Sequence, residues 1–162
     1  MIAMLLIGML AADRPGVARE EQKADAVVVM KSERTLTLMA NGKAIHTYKV
    51  ALGGVPIGPK QQQGDHKTPE GKYVLDRRNP KSKFYKSIHI SYPNEKDRRN
   101  AEKKGVSPGG DIMIHGLQNG FGYVGAAHRS VDWTDGCIAV TDSEMDEIWK
   151  MVPDGTPIEI SP

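Results

Sequence analysis

The stretch RTLTLMANGKAIHTYKVAL, from Arg34 to Leu52, constrains the fold more than any other part of the chain. Residues alternate on both sides of Asn41-Gly42, a pair that tolerates positive φ and so suits the tight turn of a β-hairpin. Leu36 and Leu38 share one face, and Thr35 and Thr37 the other. A chain with this hairpin builds sheet, and the segments around it agree. AVVVM, SIHISY, DIMIHG and TPIEI are short, apolar and β-branched. Between the hairpin and the strand that begins near Lys72 lies GGVPIGPKQQQGDHKTPEG, a long loop rich in Gly, Pro and Gln. Loops of that length within a compact domain tend to be functional.

Two helices complete the pattern. In NEKDRRNAEKKG, Asn94 is an N-cap candidate and Gly105 a stop, which predicts a short exposed helix. Thr141 and Glu144 have capping-box spacing ahead of SEMDEIWKMV, where Met145, Ile148, Trp149 and Val152 fall on one face. Pro153 to Gly155 ends that helix. The expected fold is mostly β, with two short peripheral helices and no internal repeat.

The chain has 162 residues, enough for one domain with its own core. Basic and acidic residues number 22 and 20, a balance that argues against a nucleic-acid partner. The densest basic stretch, RRNPKSKFYK, fits a solvated face, or at most a surface that attracts an acidic polymer. MIAMLLIGMLAA is an apolar run of 12 residues at the start, followed by a polar stretch. It is short for a bilayer span but matches the apolar core of a secretory signal, although no Lys or Arg precedes it. Residues 1–23 are therefore expected to be an apolar leader and linker, and 24–162 the domain. The expected location is the periplasm or cell envelope, with membrane contact only through an uncleaved leader.

The chain holds a single cysteine, Cys137, so no intramolecular disulfide is possible. The ordinary role of a lone cysteine is a small buried residue. Here it follows Gly136, in TDGC, where a tight turn can bring backbone N–H groups together. Such groups can hold the oxyanion of a tetrahedral intermediate. A cysteine nucleophile acts as its thiolate and needs a base. His46 and His89 lie in strands, and His66 in the long loop. His128 lies nine positions before Cys137, while His115 ends an apolar strand ahead of Gly116. His115 and His128 are the base candidates. One cysteine and five scattered histidines, without metal-site spacing, predict no metal.

IMIHG, followed 22 residues after its histidine by TDGCIAV, resembles the L,D-transpeptidase catalytic domain of bacterial cell-wall enzymes. VALGGVPIGPK, GDHKTPEGKY, HISYPN and SPGGDIMIHG fit the same family in the same order, from about Ala24 to Ile160. The resemblance implies a mostly β, sandwich-like domain with the site in a cleft, Cys137 as nucleophile and His115 as its base. Gly136, Asp135, Thr134 and Gly116 would then form the oxyanion and substrate-binding part. It implies a peptidoglycan stem peptide as substrate, attacked at the meso-diaminopimelate carbonyl with release of D-alanine. The acyl group would pass to an amine on another stem or on an envelope protein, with no cofactor. Water as acceptor would make the enzyme an L,D-carboxypeptidase or a hydrolase of the same links. The chain departs from the family at Asp135, where many members have His, and at Ala139, where Arg or Asn is common. A carboxylate at Asp135 tends to raise the thiol pKa unless it is paired or turned away. A non-catalytic peptidoglycan-binding protein that keeps the fold is the competing class; a thiol redox enzyme would need a second cysteine.

Overall fold

The hairpin predicted at Asn41-Gly42 is present in the computed structural model, which describes residues 22–162. Strands β2 (Thr35–Ala40) and β3 (Lys43–Lys49) pair antiparallel, with φ of 52° and 73° at the two turn residues. Leu36 and Leu38 are fully buried, so the alternation read from sequence sets the inner face. The other strands are β1 (Ala26–Met30), β4 (Gly71–Ser82), β5 (Tyr85–Ile90), β6 (Met113–His115), β7 (Ile138–Ala139) and β8 (Thr156–Ser161). All eight form one sheet in the order β3-β2-β1-β8-β4-β5-β6-β7.

The mostly β class expected from sequence holds, and the sandwich-like shape comes from one sheet curled on itself. The chain leaving β3 crosses to the other end of the sheet, where Ala51 and Ala139 exchange backbone hydrogen bonds at 3.0 and 2.9 Å. Gly54 N–H donates to Thr134 O, and Thr134 N–H to Leu52 O, continuing the seam. The seam covers the β7 end of the sheet, while β3 has β2 as its one strand neighbour among the described residues. Inside the curl lie Val27, Val29, Leu75, Ile88, Ile114, Ile138 and Ile158, each at most 1% exposed. Each such side chain contributes about 1.5–3 kcal/mol by leaving water.

Both expected helices form. In α1 (Glu95–Lys103) Asn94 and Asp97 make a reciprocal capping box; in α2 (Asp142–Met151) Thr141 and Glu144 do the same. Met145, Ile148 and Val152 of the α2 region seal the core, while Trp149 is only partly buried. A third helical segment, the 3-10 stretch Gly122–Ser130, lies between His115 and Cys137. Sequence gave no sign of it, because Phe121 supplies no side-chain cap and Gly125, at φ 52°, breaks it into two turns.

The long loop is rigidly tied. Lys31 is 3% exposed, and its ammonium donates to Gly58 O, Thr68 O and Glu70 Oε1 at 2.7, 3.0 and 2.8 Å. Lys60, also buried, donates to Asp65 Oδ1 at 2.8 Å and Gln62 O at 3.1 Å. Burial would raise the Asp65 carboxyl, but the N–H groups of Gln61, Gln62 and Lys67 and the Lys60 ammonium hold it below its ordinary value. The leader expected over residues 1–23 lies, but for its last two residues, outside the described residues. Among the described residues no helix is long and apolar enough to cross a membrane.

Candidate active site

Strands β6 and β7 run parallel, with Ile114 opposite Ile138 and His115 opposite Ala139. Ile114 and Ile138 point into the core, so His115 and the residue one step before β7, Cys137, belong to the opposite face. The two are diagonal neighbours, about 8 Å apart at Cα from strand spacing and rise, within reach of a histidine side chain.

The turn before Cys137 is fixed by glycine and threonine. Gly136 has φ 123°, and a Cβ there would lie 2.5 Å from Lys67 O. Only glycine fits both the conformation and the space. Thr134 is buried; its Oγ1 donates to Cys137 O at 2.7 Å and accepts from Gly136 N–H at 3.1 Å. The Gly136 amide is thereby engaged, whereas among the described residues the Cys137 N–H has no acceptor. Asp132 supports the turn from behind: it pairs with Arg34 at 2.8 Å and accepts from Leu52 N–H at 3.0 Å.

Cys137 is half-buried, and its S–H donates to Asp111 O at 3.5 Å. Burial pushes the thiol pKa up, and the carboxylates of Asp135 and Asp111 add to the rise. The Met113 N–H, bonded to the sulfur, and the Lys60 ammonium work against it. Asp135 is not free: its Oδ1 accepts from His66 Nδ1 at 2.7 Å. His66, which sequence placed only in the long loop, thus meets the nucleophile turn.

His115 is buried, and its Nδ1 lies 2.7 Å from Gly116 O. A carbonyl only accepts, so Nδ1 carries the proton and Nε2 keeps its lone pair. Burial lowers the His115 pKa; the Gly116 hydrogen bond opposes this, and nearby His128 reinforces it. Gly116, beside His115, is tightly packed. Its N–H donates to Lys86 O at 3.3 Å, and a Cβ would lie 2.6 Å from Asp142 Oδ1 and 2.9 Å from Tyr85 Cβ.

Aromatic rings close over the histidine. Phe84 and Trp133 lie 4.7 and 5.8 Å from its centroid. His128, the other base candidate, is buried behind Trp133, whose indole N–H donates to His128 Nδ1 at 3.3 Å. That bond leaves the His128 proton on Nε2, which has no partner. His128 thus offers a donor and not a base in this tautomer. Next to the thiol, Asp111 and Asp135 share with Lys60, Gln63, His66 and Ser107 a cleft of about 440 Å³. Among the described residues no group of three or more His, Cys, Asp or Glu could hold a metal ion.

A neutral thiol, a neutral imidazole with a free Nε2 and an unengaged amide at the nucleophile are suited to acyl transfer. Comparison with known proteins agrees at the level of family. The Escherichia coli (strain K12) protein YafK, whose name places it among the L,D-transpeptidases, is 34% identical over 133 residues, covering 78% of this chain and 46% of YafK. The chain thus spans about half the length of that relative. Among solved structures, the helical cell shape determining protein Pgp2 of Campylobacter jejuni superposes with a TM-score of 0.66 at 25% identity, over 87% of this chain and 48% of that one. An L,D-transpeptidase from Xylanimonas cellulosilytica, at 15% identity and a TM-score of 0.53 over 93% and 66%, shares the fold. The model of the L,D-transpeptidase catalytic domain matches residues 24–160, and by that match the chain belongs to the L,D-transpeptidase catalytic-domain family.

Proposed function

We propose that the protein is a cysteine acyl-transfer enzyme of the bacterial cell envelope that acts on peptidoglycan stem peptides. The observation that carries this is the placement, on one sheet face and diagonal across the β6–β7 register, of the Cys137 thiol and an imidazole whose Nδ1 proton is committed to Gly116 O. His115 Nε2 takes the thiol proton as the sulfur attacks the meso-diaminopimelate carbonyl. A C–S bond forms, and the oxyanion meets the Cys137 N–H. Collapse breaks the C–N bond, and His115 returns the proton to the leaving D-alanine amine. The acyl group then passes to an amine on a second stem or an envelope protein, with His115 as base again. Water in that role gives the carboxypeptidase outcome.

Because the thiol is held neutral at rest, the pair differs from a preformed thiolate–imidazolium: deprotonation accompanies attack. That arrangement spares the thiol from adventitious oxidation, which follows thiolate character. The Campylobacter jejuni neighbour Pgp2 is a helical cell shape determining protein, which supports a place in the wall. The deciding experiment is intact mass after incubation with a carbapenem, which acylates enzymes of this chemistry. A single adduct on wild type that is missing from Cys137→Ala is the expected result; an adduct on both, or on neither, sinks the assignment. Muropeptide analysis with and without an amine acceptor then separates transfer from hydrolysis.

A further inference from the structure

The face that carries Cys137 and His115 continues across β5 and β4. Met113 is in register with His89, and His89 with Arg77; in the next row His115 faces Ser87, and Ser87 faces Asn79. A transverse row therefore runs from the nucleophile through Met113 and His89 to Arg77. A groove of about 190 Å³ follows it, lined among others by Arg77, Asn79, Ser87, His89, Asp111 and Met113.

The chemistry of the groove is specific. Ser87 is 1% exposed and its hydroxyl has no partner. A buried hydroxyl without a hydrogen bond costs stability, and such groups persist where a ligand meets them. His89 Nδ1 donates to Asp76 Oδ1 at 2.6 Å, which leaves Nε2 for the groove. With Asp76 held by His89, Arg77 is only 4.0 Å from the same carboxylate and is 67% exposed, so its fork of donors remains available. Arg78, which also lines the groove, has its guanidinium engaged by Asp154 and Trp149 O and set 4.8 Å over the Trp149 ring. At the near end stands Asp111, whose backbone carbonyl accepts from the thiol and whose carboxylate is close enough to raise the thiol pKa. A cation at the far end and an anion at the near end fit a ligand that carries both charges.

We infer that this groove is a specificity subsite for a zwitterionic amino-acid end, with Arg77 holding its carboxylate and Asp111 its ammonium. Resting on the proposed acyl transfer, the occupant is the free end of the diaminopimelate side chain. The reach is consistent. Six bonds separate the scissile carbonyl carbon from the distant carboxylate carbon, the length of two extended residues or about 7 Å. Arg77 lies three strand spacings from Cys137, about 14 Å, and its own extended side chain covers about 7 Å of that. Arginine suits the task because its planar fork binds a carboxylate through two parallel hydrogen bonds.

The test measures D-alanine release from three tetrapeptides: one with meso-diaminopimelate, one with its distant carboxyl amidated, and one with lysine in its place. Wild type is expected to prefer the first by about tenfold or more in kcat/KM, and Arg77→Ala to lose that preference through a raised KM, with Arg77→Lys in between. Wild type that treats the three alike, or Arg77→Ala that keeps the preference, overturns the subsite. Calorimetry on Cys137→Ala with the same peptides provides a readout independent of turnover. Weaker binding of the amidated and lysine peptides, abolished as a difference by Arg77→Ala, supports the subsite even if no peptide is cleaved, in which case the acyl-transfer reading alone fails. Equal binding of all three overturns the subsite whatever the catalytic result.

Discussion

His66 Nδ1 donates to Asp135 Oδ1 at 2.7 Å, so the carboxylate two residues before the nucleophile is bound to the long loop. Its pull on the thiol is upward but trails that of burial. Asp135→Asn is therefore expected to move the alkaline ionisation of Cys137 to lower pH and to change carbapenem acylation by less than about tenfold, because the pair is exposed and screened. His66→Ala should move the ionisation the opposite way. Thiol titration by ultraviolet absorbance in both variants checks the two signs.

As the proposed base, His115 must be unprotonated, and burial sets its pKa below the ordinary 6.5. Acylation should thus fall on acidification at a pH below 6.5, later than for an exposed histidine. The thiol ionises by itself only above the ordinary 9.0. His115→Ala is expected to lose about 10²–10⁴-fold at neutral pH, the usual worth of a positioned base. Its rate should then climb about tenfold per pH unit into the alkaline range, as unaided thiolate accumulates. A flat profile for the variant would remove His115 from the role of base.

The two buried histidines also couple folding to pH. Both His115 and His128 have pKa values lowered by burial. The unfolded chain therefore binds protons near pH 6.5 that the folded chain refuses, and stability falls as pH drops below that value. It is flat above it, where both states are neutral. Tm followed from pH 8 to 5 should show this slope, and His128→Phe should reduce it.

Thr134 holds the nucleophile turn by two hydrogen bonds from one oxygen. Thr134→Val keeps the volume and removes both, leaving Cys137 O and Gly136 N–H unmet. A loss of about 1–3 kcal/mol in stability is expected, together with slower acylation. Thr134→Ser should retain most of both. Denaturant titration and adduct kinetics measure the two effects separately.

Gly136→Ala and Lys31→Met test the frame. The first forces a side chain into φ 123° and against Lys67 O, with a strain of about 1–3 kcal/mol before any clash. The second strands Glu70 without its buried cation, a change of about 3–5 kcal/mol. Both should lower Tm, and Lys31→Met should also slow acylation by loosening the loop that carries His66. An unchanged adduct rate in Lys31→Met would separate loop order from catalysis.

What sequence could disclose was local. The Asn41-Gly42 turn, the Asn94 cap and the Thr141–Glu144 capping box depend on residues within a few positions of each other, and all three appear as expected. The family motif singled out Cys137 and His115, the proposed nucleophile and base, whose separation in sequence is bridged by the β6–β7 register. The burial of Lys31 and Lys60, the hold of Asp132 on the turn and the pairing of His66 with Asp135 join residues far apart in the chain, with no local signal. Gly116 shows the limit from the other side: its place beside the histidine was legible, but its reason, the approach of Asp142 and Tyr85, was not.

The seam at Ala51 and Ala139 ties the chemistry to the slowest part of assembly. It joins segments distant in sequence, and such pairings form late because chain entropy must be lost before they are rewarded. The turn bearing Cys137 hangs from that seam through Thr134. A chain whose hairpin and helices have formed but whose seam is open would have a folded spectrum and no nucleophile in place. Competence for acylation then reports the last closure of the sheet, and amide exchange at Ala139 should track it.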